Sequence, residues 1–196
     1  MKLLCLYNNP CALELFHWLN SQGHETVIWS EKIDRDWCED QKFDLAISYT
    51  YRYILSEDIL DALHNNAVNI RTSYLPWNRG PDPNIWSILE ETPRGVTLHY
   101  MNSELDKGDI IAQQLIADDV ESETLSSSYQ MLDQVAKQLF KDAFCFYEYW
   151  TFMRKKSCGP GSYHSVSDAK EIKDLILTYD MSVLEFKEIV QKEDRN

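Results

Sequence analysis

Four side chains in the middle of the chain can do chemistry: the amide of Asn69, the guanidinium of Arg71, the imidazole of His99 and the carboxylate of Asp106. An amide donates without changing charge, a guanidinium only donates, an imidazole titrates near neutrality, and a carboxylate accepts or takes a proton. Beside them lies Tyr74-Leu75-Pro76-Trp77-Asn78-Arg79-Gly80-Pro81-Asp82-Pro83, three prolines and one glycine in ten residues. Proline fixes φ and lacks an N–H, so this stretch is a shaped loop. His17, on an apolar helix face, and His24 and His64, near element ends, read as structural or solvated.

Several chemistries lack their residues. The loop after the first apolar run, Asn8-Asn9-Pro10-Cys11, has no glycine to let backbone N–H groups close on a phosphate, which removes P-loop and dinucleotide fingerprints. No serine nucleophile elbow and no H-E-x-x-H helix occurs. The five cysteines, Cys5, Cys11, Cys38, Cys145 and Cys158, form no C-x-x-C pair and read as free thiols of a reducing compartment, so no metal is expected.

The elements that must position these groups follow from periodicity. Apolar or β-branched runs predict strands over Lys2 to Tyr7, Glu25 to Trp29, Asp44 to Tyr49, Val68 to Ile70, Gly95 to Met101 and Ile110 to Ile116. Helical spacing covers Cys11 to Asn20, the segment after an N-cap at Ser56, Asn84 to Glu91, and one long run from Thr124 to about Lys155. The charged stretch Asp34 to Lys42 leads into the third strand, and Asp168 to Val190 holds one or two short helices. The fold class is α/β, a mostly parallel sheet flanked by helices with a helical C-terminal annex. Residues 1–156 form the domain, long helix included, and 157–196 a short helical tail with no independence. In an open parallel sheet the ligand site lies beyond the carboxyl ends of the strands. That brings forward the loops after Tyr49 and Ile70 and the turn between Met101 and Ile110.

With 196 residues, 44 % of them hydrophobic, the chain is long enough for one sizeable core. A net charge of −13 argues against nucleic acid as a partner, since phosphate binding needs a clustered basic surface. No apolar run approaches the roughly 20 residues that span a bilayer. The apolar stretch at Met1 to Tyr7 is too short for a signal-peptide core, so a cytoplasmic chain without a membrane partner is expected.

Three blocks carry a specific resemblance. Asn69-Ile70-Arg71-Thr72-Ser73-Tyr74-Leu75-Pro76-Trp77-Asn78-Arg79-Gly80, then Gly95-Val96-Thr97-Leu98-His99, then Leu105-Asp106-Lys107-Gly108-Asp109-Ile110-Ile111, resemble the 10-formyltetrahydrofolate-dependent formyltransferases. The family pattern runs N-x-H-x-S-x-L-P-x-x-R-G, G-x-T-x-H and D-x-G-x-I, in that order, over a Rossmann-like layout, so the likeness covers about residues 1 to 155. It implies a folate-dependent formyltransferase with 10-formyltetrahydrofolate as formyl donor. The catalytic trio falls on Asn69, Arg71 and Asp106, with arginine where the family has histidine. The folate pocket falls on Tyr49, Tyr51, Ile54 and Leu55, with His99 beside it, and the acceptor side on Tyr74 and Trp77.

The wording of residues 74–80 is most like members that formylate amino sugars, often nucleotide-linked, in surface-polysaccharide biosynthesis. Gly161-Ser162-Tyr163-His164 resembles a linker of such members, and a homodimer is compatible with the resemblance. Two fates are open to Arg71. It points into the site and steadies an oxyanion, leaving proton removal to Asp106, water or a neutral amine, or it pairs with Asp106 and obstructs chemistry. The second fate would make the chain an impaired or non-catalytic homologue that keeps folate or sugar binding.

Overall fold

A computed structural model of the chain describes residues 1–117 and 119–193. In chain order its elements are β1 (Lys2–Leu6), α1 (Leu13–Ser21), β2 (Glu25–Trp29), α2 (Arg35–Gln41), β3 (Leu45–Tyr49), α3 (Glu57–Ala62), β4 (Ala67–Arg71), α4 (Pro83–Leu89), β5 (Gly95–Tyr100), β6 (Ile110–Leu115), α5 (Leu125–Phe144), α6 (Val166–Asp174) and α7 (Val183–Glu193). The strands form one sheet in the order β2-β1-β3-β4-β5-β6. β1 to β4 are parallel and β5 and β6 antiparallel, which is the mostly parallel α/β sheet expected.

The central strands read as unbroken apolar runs because both sheet faces are covered. All five residues of β3 are buried. On one face Leu3, Ile47, Val68 and Leu98 meet Leu15 and Phe16 of α1 and Leu132, Ala136 and Phe140 of α5. On the other Leu4, Leu6 and Ala46 meet Cys38 of α2 and Ile59 and Leu60 of α3.

Two boundaries differ from the sequence expectation. The helix from Thr124 ends at Phe144 and not near Lys155, because the chain folds back through a 3₁₀ turn (Tyr147–Phe152). There Trp150, fully buried, donates from Nε1 to the Ala143 carbonyl at 2.8 Å and so satisfies one of the helix's orphan acceptors. The charged stretch Asp34 to Lys42 contains α2, capped by Asp34 Oδ1, which accepts from the Trp37 N–H at 2.9 Å. Only Cys38 of that helix is buried, so its apolar signal was too thin to see.

The tail closes over the body. Met181 and, on α7, Val183 and Phe186 pack on Ile85 and Ile88 of α4 and Leu125 of α5. Upstream, the Arg79 N–H donates to the Ser162 carbonyl at 3.0 Å and the His164 N–H to the Arg79 carbonyl at 3.0 Å, so the tail pairs with the proline-rich loop. Among the described residues no helix is long and apolar enough to cross a membrane.

Candidate active site

Strand pairing sets the first contact of the site. Asn69 of β4 stands opposite His99 of β5 in the antiparallel register, and a shift opposite Leu98/His99 leaves Ile111 of β6 unpaired, a bulge in that strand. His99 Nδ1 lies 2.8 Å from the Tyr100 carbonyl, which can only accept, so Nδ1 carries the proton. Nε2 is then a lone pair, and it accepts from Asn69 Nδ2 at 3.3 Å. Burial lowers the pKa of His99 and keeps the ring neutral. The neutral imidazole fixes the orientation of the Asn69 amide and leaves its second N–H to the cleft.

Asp106 arrives on the turn between β5 and β6, with φ of 55°, a left-handed conformation that costs energy outside glycine. Its Oδ2 accepts from the Gly80 N–H at 3.0 Å and forms an ion pair with Arg71 Nη1 at 3.0 Å, while Oδ1 lies 4.0 Å from His99 Nε2. Arg71 Nη2 donates to the Asn78 carbonyl at 2.8 Å and to the Gly80 carbonyl. Desolvation lowers the Arg71 pKa, and Asp106 opposes that shift. Of the two fates open to Arg71, pairing with Asp106 is the one realised: the guanidinium ties the 78–80 loop to the carboxylate. Arg71 Nε, buried, finds no hydrogen-bond partner among the described residues.

Gly80 is required at this junction. Its φ is +95°, and a Cβ there would stand 2.1 Å from the His164 carbonyl oxygen. The tail therefore presses directly on the loop that holds both Asp106 and Arg71.

Pairing does not close the site. Two cavities meet at Asn69, Arg71 and Tyr51. The larger, about 780 Å³, runs between the 80–84 loop, α5 and the tail, past Asp82, Tyr129, Lys173 and Tyr179. The smaller, about 110 Å³, has Tyr51, Tyr53, Ile54 and Leu55 on one side and His99, Met101, Leu105 and Asp106 on the other.

Of the residues assigned to the folate side, Tyr51, Ile54, Leu55 and His99 line the smaller cavity. Tyr49 instead lines the larger one, since the end of β3 faces α5, and its hydroxyl donates to Asp133 at 2.5 Å. Tyr74 and Trp77 line neither cavity. The Trp77 N–H turns back to the Tyr74 carbonyl at 3.1 Å, and the Tyr74 ring lies against Gly95 of β5. Sequence reasoning missed the Asn78 and Gly80 carbonyls as partners of Arg71, and Tyr129, Lys173 and Tyr179 as cavity walls. The Asn-Arg-Gly turn could have pointed to the first; nothing local marks the others.

Residues 30–144 match the formyl transferase family model. A formyltransferase from Anoxybacillus kamchatkensis, PseJ, is 34 % identical, with 95 % of this chain and 97 % of that one covered at a TM-score of 0.82. The chain belongs to the formyl transferase family. PseJ was solved with UDP-4,6-dideoxy-4-formamido-L-AltNAc and tetrahydrofolate. Two more distant structures share the fold of this formyltransferase. A 4-N formyltransferase from Francisella tularensis is 21 % identical over 96 % of this chain and 85 % of that one, TM-score 0.74. Rv3404c from Mycobacterium tuberculosis is 22 % identical over 87 % and 78 %, TM-score 0.76.

Proposed function

We propose that this chain is an N-formyltransferase that moves the formyl group of 10-formyltetrahydrofolate to the amine of a nucleotide-linked amino sugar. The observation that carries this reading is the meeting of two cavities of unlike character at the Asn69 amide, with Asp106 beside it. Tyrosine and aliphatic walls over a floor of Asn69, His99 and Asp106 fit a flat heteroaromatic ring in the smaller cavity. The larger one has room for a sugar and its carrier. The ligands solved with PseJ support both assignments.

The folate supplies an activated formyl carbon when bound; the rest is done by side chains. The free N–H of Asn69 donates to the oxygen that turns negative as an amine adds, and His99 holds the amide in that orientation. Arg71 cannot accept a proton, so it serves as a brace between the 78–80 loop and Asp106. Asp106 Oδ2 is engaged by Arg71 and Gly80, which leaves Oδ1 to take the proton the amine loses, directly or through water, and to return it to the folate nitrogen whose bond to the formyl carbon would break. The finer reading, a step of surface-polysaccharide assembly, rests on the likeness of residues 74–80 to sugar-acting members.

The test is turnover of 10-formyltetrahydrofolate with a UDP-linked 4-amino sugar, followed by mass spectrometry of the sugar. Wild type yields the N-formyl product, and Asn69→Ala lowers kcat by about 10²–10³ with little change in KM. Arg71→His raises the rate, because an imidazole can accept as well as donate. Absence of formylated sugar from both wild type and Arg71→His, each folded, would refute the assignment.

A further inference from the structure

The larger cavity is wider than one hexose needs and sits within the roughly 300–1,000 Å³ of sites that engulf a drug-sized ligand. A nucleotide-linked acceptor brings a diphosphate into it, and the chain as a whole, at −13, repels such an anion. Some local cation must offset that. Of the described residues lining the cavity, two are cationic, Arg71 and Lys173. Arg71 is spent on Asp106 and on the Asn78 and Gly80 carbonyls. Lys173 is not comparably held. Its side chain is 46 % exposed, and its ammonium lies 2.8 Å from Asp82 Oδ2. No aligned hydrogen bond reaches that oxygen, which is shielded from solvent. The ammonium end is half-exposed, and a phosphate that takes it must offset the cost of leaving the shielded Asp82 oxygen without a counter-charge.

Lys173 is nonetheless placed with care. It sits near the end of α6, whose start is fixed by a reciprocal cap between Ser165 and Asp168 and by the stacking of His164 on Trp86 at 3.8 Å. Asp82 adopts φ of 53° immediately before α4, a conformation that Asn shares more readily than other residues do.

We infer that Lys173, carried into the cavity by the C-terminal tail, binds the diphosphate of the acceptor, and that Asp82 holds it in place while the cavity is empty. The inference rests on the acceptor reading above and names the residue that serves it. On binding, the ammonium leaves the carboxylate for a phosphate oxygen, an exchange of ion partners without covalent change.

Calorimetric titration of the full chain with uridine diphosphate tests this without turnover, and tetrahydrofolate titration of the same samples reports an intact fold. Lys173→Ala weakens uridine diphosphate about tenfold or more, as loss of a charged hydrogen bond does, and leaves tetrahydrofolate unchanged. Lys173→Arg restores most of the affinity. Asp82→Asn, which frees the lysine, tightens uridine diphosphate severalfold. Equal affinity in wild type and Lys173→Ala would overturn the role of Lys173 and leave the acceptor reading standing. No binding of uridine diphosphate to wild type that binds tetrahydrofolate would overturn both. Unchanged or weaker binding by Asp82→Asn would remove Asp82 as the holding partner.

Discussion

His99 shows how much one buried ring can set. Its Nδ1 proton is committed to the Tyr100 carbonyl and its Nε2 lone pair to Asn69, so a second proton would break the contact that aims the amide. The resemblance placed this histidine among the folate contacts; the structure adds that it is the partner of Asn69. A stability consequence follows. With the folded pKa below the ordinary value of about 6.5, the unfolded chain binds a proton that the folded chain refuses once the pH drops under that value. Stability is therefore full above about pH 6.5 and falls as the pH is lowered toward the folded pKa, by up to about 1.4 kcal/mol per unit. Urea unfolding between pH 7.5 and 5 should show this slope in wild type, reduced in His99→Gln. Equal slopes in the two proteins would show that His99 is not the group held neutral.

At the scale of elements, the proline-rich loop does what neither strand nor helix can. It turns the Asn78 and Gly80 carbonyls toward Arg71 and the Gly80 N–H toward Asp106, and the tail locks it from behind. Two glycines of similar backbone separate conformation from crowding. Gly23 has φ of +87° with nothing within 4 Å of a Cβ, whereas at Gly80, φ +95°, a Cβ meets the His164 carbonyl at 2.1 Å. Gly23→Ala should cost about 1–2 kcal/mol, the left-handed penalty alone. Gly80→Ala should cost clearly more in thermal unfolding and abolish formyl transfer, since loop and tail must part. Similar melting temperatures for the two variants would contradict the tight junction.

The same loop marks the limit of what was legible. The six strands and the trio at 69, 71 and 106 could be read because apolar runs and three spaced blocks are local signals. Helix α2 could not, because one buried residue gives no periodicity. Tyr74 and Trp77 line neither cavity, and an aromatic in a shaped loop carries no local signal of which way it faces. Lys173 and Tyr179 lie far along the chain from the blocks and reach the cavity by tertiary packing alone.

For the whole molecule the open question is whether residues 157–196 are an appendage or part of the cooperative unit, and we propose the latter. The tail brings its own apolar residues, yet their partners are Ile85, Ile88 and Leu125 of the body. Phe186 is fully buried in that seam, as Phe16 is in the main core. Truncating either to alanine should cost about 3–5 kcal/mol. If the tail folds with the body, Phe186→Ala still unfolds in one transition, with fluorescence and circular dichroism coincident. The functional effects should then diverge. Phe16→Ala loosens the sheet under both cavities, whereas Phe186→Ala loosens the wall that carries Lys173 and Tyr179. The KM for the sugar should rise in Phe186→Ala while tetrahydrofolate affinity holds. Two separate unfolding transitions, with sugar KM unchanged, would show instead that the tail is a detachable cover and that the acceptor cavity is complete without it.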